Sequence, residues 1–270
     1  VEFLVAVNRL VPPAFDPGSV WLVGAGPGDP GLLTLHALHA LETADVVLHD
    51  ALVSPEILSL AATPHLVSVG KRAGGMRTPQ LRINQRLIAL AQAGNRVVRL
   101  KGGDPLIFGR GGEEAVALAS AGIPFRIVPG ISAGIGGTAG ASIPLTHRTV
   151  ARSVVFATGT DSAGEIPQGY GADVLVLYMA SRQIGATAAR LIAQGRSPDE
   201  SVAFITNATT PRQSVRMATL ATAQADSSEL SGATLIVIGP VLAVRDVLAP
   251  LQQTAPMTIS AHVEHRGEHA

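Results

Sequence analysis

Five short apolar runs in the first half of the chain each end on a cluster of glycine, proline or charged residues, with helix-length segments between them. Runs of four or five apolar residues alternating with such segments are the pattern of strands wound into a sheet with helices on its faces. Strands are expected near 20–24, 45–49, 66–69, 96–100 and 125–128. Thr78 reads as a helix N-cap with Pro79 at the first helical position and Gly94 as the stop, and a further helix spans 113–121 before Gly122. The pattern pauses over 142–152, a polar stretch containing Pro144. A second series then follows near 153–158, 173–178, 202–206, 214–218 and 234–239, with Ser181 as the expected N-cap of a helix running to about Gln194. The fold class is therefore α/β, in two α/β domains. An extension over 1–18 precedes an N-terminal domain over 19–147, a C-terminal domain covers 148–250, and 251–270 form a tail. No internal sequence repeat is evident.

Composition narrows the function classes. Of 270 residues, 47% are hydrophobic and 15% charged, which excludes disorder for most of the chain. The formal net charge is zero, which argues against a dedicated nucleic-acid or anionic-membrane surface. The absence of cysteine removes disulfides, thiolate metal sites and a cysteine nucleophile together. The uncharged stretch over 127–147 is broken by Pro129, Pro144 and several glycines, so it reads as loop and helix beside a ligand rather than a membrane span. The N-terminus has no basic segment of the secretory kind, and a soluble, cytoplasmic protein is expected. His36 and His39 lie three apart on an expected helix, but the Leu and Ala around them favour ordinary helix-surface histidines. His262, His265 and His269 fall in the polar tail, and no metal is expected. The few aromatic residues offer no stacking ladder for single-stranded nucleic acid.

The unusual residues gather after the strands of the first half. Gly24-Ala25-Gly26-Pro27-Gly28-Asp29 follows the first, Asp50 the second, Lys71-Arg72 the third, Lys101-Gly102-Gly103-Asp104-Pro105 the fourth, and Pro129-Gly130-Ile131-Ser132-Ala133 the fifth. In open α/β sheets that edge is where ligands bind. The first loop is not a dinucleotide fingerprint, since Asp29 stands where the third glycine belongs, and no Walker pattern occurs. Gly102 and Gly103 would let an adenosine-like ligand lie against backbone, and Asp104 is either a hydrogen-bond acceptor for that ligand or the cap of a tight turn. Glu113 and Glu114 suit the positive end of the helix they open. Only two lysines, Lys71 and Lys101, occur against eighteen arginines. A bias toward arginine accounts for the ratio, yet both lysines sit in glycine-flanked segments.

Three segments carry a family resemblance. They are Val-Gly-Ala-Gly-Pro-Gly-Asp over 23–29, Val-Gly-Lys-Arg-Ala-Gly over 69–74, and Val-Val-Arg-Leu-Lys-Gly-Gly-Asp-Pro-Leu-Ile-Phe-Gly-Arg-Gly-Gly-Glu-Glu over 97–114. Together they resemble the uroporphyrinogen-III C-methyltransferases, a branch of the tetrapyrrole methylases. Ile-Pro-Leu-Thr-His-Arg over 143–148 is similar to that family's motif at the domain junction, and the likeness runs from about Val20 to Leu248. It implies a cofactor cleft between the two domains, S-adenosylmethionine as methyl donor with S-adenosylhomocysteine as its product, and a homodimer. It places Pro27, Gly102, Gly103, Asp104, Ile107, Ser132, Ala133, Met179 and Ala208 at the cofactor. Asp50 takes the position of the family's proton acceptor and Lys71 that of its proton donor. The departures are Ser132 where threonine is commoner, Leu106 for an aromatic residue, Ala180 where glycine usually follows Met179, and Ala208 for a glycine. None of them removes a group the chemistry needs.

The implied reaction is transfer of two methyl groups to uroporphyrinogen III at C2 and C7, giving precorrin-2 through precorrin-1 for siroheme- or cobalamin-type synthesis. Displacement at a sulfonium has a neutral leaving group and calls for positioning rather than a nucleophile or metal, which suits a chain without cysteine. The eight carboxylates of the substrate call for basic partners, with Arg72, Arg77, Arg110, Arg148, Arg152 and Lys71 as candidates and Thr146 and His147 beside them. The rival readings are a methylase acting on a later corrin intermediate, a nicotinamide-dependent oxidoreductase and a non-catalytic tetrapyrrole carrier.

Overall fold

The computed structural model describes residues 10–70, 78–159, 171–228, 230–252 and 257. Its first sheet holds β1 (Val20–Gly24), β2 (Val46–His49), β3 (Leu66–Ser68), β4 (Val97–Lys101) and β5 (Phe125–Val128). All pairings in it are parallel, in the order β3-β2-β4-β1-β5. The helices between them are α1 (Leu35–Thr43), the single turn α2 (Pro55–Leu58), α3 (Gln80–Gln92) and α4 (Gly111–Ser120).

Both faces of this sheet are covered, so its central strands are apolar on both sides. Trp21, Val23, Val47, Val98 and Leu100 pack against Ala37, Ala40 and Leu41 of α1. Val20, Leu22, Val46, Leu48 and Val97 pack on the other face against Ile83 and Leu87 of α3 and Leu118 of α4. The two-residue alternation of strand side chains carries β4 from Val97 to Arg99 and Lys101 on that second face. Its lower part is therefore apolar and its upper part ionic.

Helix α5 (Ala133–Gly140) leads from β5 toward the second sheet, and Ala141 and Ile143 just beyond it are already buried in that sheet's core. The second sheet is formed by β6 (Val154–Thr158), β7 (Val174–Tyr178), β8 (Ser201–Thr206), β9 (Ser214–Thr219) and β10 (Thr234–Ile238), ordered β6-β7-β10-β8-β9. It is mixed rather than parallel. β6 and β7 run parallel, but β10 is antiparallel to both β7 and β8, and β8 is antiparallel to β9. Helices α6 (Ile184–Ala193) and α8 (Leu242–Leu248) and the short α7 (Ala223–Asp226) complete it. Residues 207–213 join β8 directly to β9, a short return that only an antiparallel pair can use.

Helix starts differ from expectation in three places. Pro79, not Thr78, is the N-cap of α3, and α4 begins two residues early because Arg110, in left-handed conformation, turns the chain into it. Ser181 opens a 3-10 turn (Ser181–Gln183) instead of capping α6, which starts at Ile184 where the apolar face reaches the sheet. In α1, His39 hydrogen-bonds the Pro13 carbonyl at 3.1 Å through Nε2. Among the described residues no group of three potential metal ligands comes together, and no helix is long and apolar enough to cross a membrane.

Asp173 joins the starts of β6 and β7. Its Oδ2 accepts from the Arg152 and Ser153 amides at 2.8 and 3.0 Å and from Ser153 Oγ at 2.9 Å. The Arg152 amide, followed by the Ser153 hydroxyl and amide, holds this carboxyl below its ordinary value. A carboxyl depressed in the folded state stabilises the fold above its unfolded value, and the contribution disappears as pH falls through the lowered one. Asp173→Ala is expected to lower the urea midpoint near neutral pH, with the gap to the parent closing below about pH 4. A gap unchanged down to pH 3 would assign the effect to something other than this carboxylate.

Candidate active site

Three strand ends of the first sheet meet through their backbones. A Cβ on Gly24 would lie 2.5 Å from the Gly130 nitrogen and 2.6 Å from the Gly103 oxygen, and one on Gly130 would collide with the same Gly103 oxygen. The loops after β1, β4 and β5 thus approach more closely than any side chain permits. The first and fourth loops are also hydrogen-bonded: Gly26 donates to the Gly103 carbonyl at 3.1 Å, Gly103 to Gly26 at 2.7 Å, and Ala25 to Lys101 at 2.7 Å. Gly26 and Gly103 hold φ of 71° and 68°, a conformation glycine adopts without strain. Asp104 completes the platform. Its Oδ1 accepts from the Leu106 amide at 2.8 Å and its Oδ2 from the Gly130 amide at 3.1 Å.

The second domain closes on this platform through α5, whose glycines each admit a different neighbour. A Cβ on Gly134 would meet the Tyr178 hydroxyl and lie 2.6 Å from Phe156. One on Gly136 would lie 2.7 Å from Pro27 Cγ, and one on Gly137 2.8 Å from Ala208 Cβ. Tyr178 at the end of β7 accepts from the Gly134 amide at 2.8 Å and pairs with Ser132 Oγ at 2.6 Å. Burial pushes its hydroxyl up from the ordinary tyrosine value, against those two hydrogen bonds. Thr209 Oγ1 accepts from the Asp29 amide at 3.1 Å, a second tie across the cleft. Phe108, Arg110, Met179, Asn207 and Thr209 all have positive φ without being glycine. Such conformations cost energy and gather at functional sites. Here they occupy the loops after β4, β7 and β8.

Asp50 stands at the end of β2 with its side chain about one-third exposed. Arg99 Nη2 donates to its Oδ1, and Lys101 Nζ lies 3.7 Å from its Oδ2. Beneath it Glu114, fully buried, accepts at Oε1 from Arg99 Nε at 3.0 Å, Lys101 Nζ at 3.1 Å and Gln80 Nε2 at 3.1 Å. Arg99 and Lys101 are each 2% exposed. Burial, then the Arg99 guanidinium, pull the Lys101 ammonium below its ordinary value, with Asp50 and Glu114 opposing. Burying three charges beneath a part-exposed fourth is tolerable only because each is paired and the group is neutral. The loops after β2, β4 and β7 also expose large apolar side chains, Leu52, Ile107, Phe108 and Met179; Leu52 lies next to Gly102, and Phe108 packs 4.9 Å from the Tyr178 ring.

Of the residues expected at the cofactor, Pro27, Gly103, Asp104 and Ser132 are tied into the contacts between the strand-end loops, α5 and the second sheet, Ala133 opens α5, Ala208 packs against that helix, and Ile107 and Met179 are exposed. Of the basic candidates, Arg148 and Arg152 line one open depression with Thr146, His147 and Ala151. Arg110 is paired bidentately with Glu113 at 2.8 and 2.7 Å, a bond that raises its pKa. Lys71, Arg72 and Arg77 lie outside the described residues. Sequence reading passed over Arg99, Tyr178 and Gln80. It placed Lys101 and Glu114 in the right segments and gave neither a site role. A charged residue inside an apolar strand is the signal that could have exposed Arg99 and Lys101, whereas no local pattern marks Tyr178.

The family signature of the Tetrapyrrole (Corrin/Porphyrin) Methylases matches residues 19–224. A uroporphyrinogen-III C-methyltransferase from Sinorhizobium sp is 55% identical over 246 residues, covering 87% of this chain and 88% of that protein. Siroheme synthase 2 from Aeromonas hydrophila is 51% identical over 238 residues, and the chain spans about half (51%) of its length. The crystal structure of a Thermus thermophilus uroporphyrin-III C-methyl transferase complexed with S-adenyl homocysteine superposes with a TM-score of 0.75 at 38% identity, covering 84% of this chain and 99% of that one.

Gly130→Ala places a methyl group against backbone that cannot yield, so a destabilisation of about 1–3 kcal/mol is expected from urea denaturation. Gly112→Ala, inside α4 with nothing within 4 Å of the new methyl, is expected to be neutral or to stabilise by about 0.5–1 kcal/mol. Equal effects of the two would deny that the strand-end contact is sterically closed.

Proposed function

The chain belongs to the tetrapyrrole (corrin/porphyrin) methylase family, and on that premise we propose that it transfers two methyl groups from S-adenosylmethionine to uroporphyrinogen III. The first transfer gives precorrin-1 and the second precorrin-2, at C2 and C7. The same reading has it act as a cytoplasmic homodimer. The observation that carries it is the combination, at one sheet edge, of a side-chain-free backbone platform with a part-exposed carboxylate, Asp50, held by a buried arginine, and exposed apolar side chains in the neighbouring loops.

The residues suit the methyl donor. Gly102 and Gly103 present backbone where a ligand needs close approach, and the Gly24–Gly103–Gly130 contact leaves that backbone no freedom to shift. Pro27 and Ala208 reach the same helix from opposite domains, so a ligand between the loops after β1 and β8 would touch both. When bound, the sulfonium supplies an electrophilic methyl group and leaves as a neutral thioether. Leu52, Ile107, Phe108 and Met179 form an apolar wall that suits the macrocycle and excludes water from the line of transfer. Positioning of this kind contributes roughly 7–11 kcal/mol to lowering a barrier.

Methylation of a pyrrole β-carbon leaves the ring system one proton too many. Asp50 accepts that proton in this proposal, through the carboxylate oxygen that Arg99 does not hold. Arg148, Arg152 and His147 stand in the depression where acid side chains of the substrate are to be bound. Lys71 is the candidate to return a proton.

Anaerobic incubation with uroporphyrinogen III and excess S-adenosylmethionine is expected to add two methyl masses to the product. Asp50→Asn is expected to keep its fold and its S-adenosylhomocysteine affinity while kcat falls roughly 10²–10⁴-fold, the usual contribution of a general base. A single added methyl group would point to a different methylase. Undiminished turnover in Asp50→Asn would remove it as the base.

A further inference from the structure

Lys101 has improbable surroundings for an ammonium: it is 2% exposed, with Asp50, Arg99 and Glu114 as its charged neighbours. Nothing in the proposed reaction uses it, and it does not reach the open cleft. Its contacts are unequal. Both Glu114 oxygens lie 3.1 Å from Nζ, whereas the nearest Asp50 oxygen is 3.7 Å away, beyond a hydrogen bond. Asp50 is thus held firmly at Oδ1 by Arg99 and loosely at Oδ2. The other groups packed around it do not change this balance. His49 directs Nδ1 to the Asp50 backbone carbonyl at 3.1 Å, Gln80 is neutral, and Glu113 is spent on Arg110.

We propose that Lys101 and Glu114 are positioning residues for Asp50, with Glu114 drawing the ammonium back so that one carboxylate oxygen stays free to take the substrate's proton. This rests on the reading of Asp50 as the base. The charges explain why a buried glutamate is required. Asp50 alone faces two cations, Arg99 and Lys101, and would be clamped at both oxygens if neither were diverted. Glu114 sits on α4, a different element from either cation, and lies beneath both. Its Oε1 accepts the ammonium's hydrogen bond, whereas Oε2, also 3.1 Å from Nζ, lacks hydrogen-bond geometry and attracts it by charge alone.

The test compares a single and a double variant in kcat, KM and cofactor affinity. In Glu114→Gln the amide oxygen still accepts from Arg99, but the charge holding Lys101 is gone and the ammonium is free to close on Asp50. An at least tenfold fall in kcat is expected, with KM for uroporphyrinogen III and S-adenosylhomocysteine affinity within about twofold of the parent. Lys101→Met/Glu114→Gln removes the misdirected charge as well and is expected to recover kcat to within about threefold of the parent. A merely structural pair lowers the urea midpoint of Glu114→Gln, which the double variant recovers, and leaves the kcat of the folded enzyme at the parental level in both. A double variant no more active than Glu114→Gln therefore overturns the proposal. If Glu114→Gln does not fold, the charge-neutral double variant decides alone, and a loss as deep as that of Asp50→Asn overturns it. Asp50→Asn in the same assay separates the two levels. Parental turnover there sinks the base assignment and this proposal with it, whereas an inactive Asp50→Asn beside an unrecovered double variant sinks only the role of Lys101 and Glu114.

Discussion

The backbone contact among Gly24, Gly103 and Gly130 is the constraint on which the rest of the cleft depends. Three parallel strands bring their C-terminal ends together, and at that edge there is no room for a Cβ. The loops after β1 and β4 hydrogen-bond to each other, and Asp104 ties the fourth loop to the fifth. A surface built from main chain in this way presents amides and carbonyls at fixed positions, and it resists deformation because protein interiors are close-packed. Any ligand held against it is held by geometry rather than by adaptable side chains.

Beneath the platform the sheet exchanges apolar packing for charge. Val97 lies in an ordinary core layer, but Arg99 and Lys101 on the same face of β4 are buried ions. Removing one partner of such a buried pair typically costs about 3–5 kcal/mol, whereas replacing a whole set by apolar residues is often neutral. Stability alone therefore gives no reason for a neutral four-charge group here. Its upper member, Asp50, is the one that reaches the cleft, and that gives the group a task at the site.

Helix α5 determines how the two sheets meet. Its glycines at 134, 136 and 137 admit Tyr178 and Phe156, Pro27, and Ala208 in turn, so both domains seat on one eight-residue helix. Non-glycine residues with positive φ collect in the loops facing it, and contacts across the cleft such as Ser132–Tyr178 and Asp29–Thr209 hold them there. Short distances between elements here come from small residues, and the strain they permit is carried by their neighbours.

Much of this was legible in the order of residues. Ten strands stand within a residue or two of where apolar runs and their breakers put them, because strand length and turn chemistry are local properties. The glycine-rich loops and Asp50 are likewise found at strand ends, as their spacing along the chain required. Helix starts were less legible: Arg110 enters α4 in a left-handed conformation that arginine does not advertise, and Ser181 opens a 3-10 turn. The mixed pairing of the second sheet was hidden for a related reason, since strand direction follows from which neighbours come to lie side by side. Local residue order was enough for the α/β class, the loops that carry the chemistry and the family they resemble. Chain packing in three dimensions was needed to bring Lys101 and Glu114 beneath Asp50 and Tyr178 onto Ser132. Those pairs are 13 to 64 positions apart in the chain, and the distances between them are set by sheet order and helix packing, which no local pattern encodes.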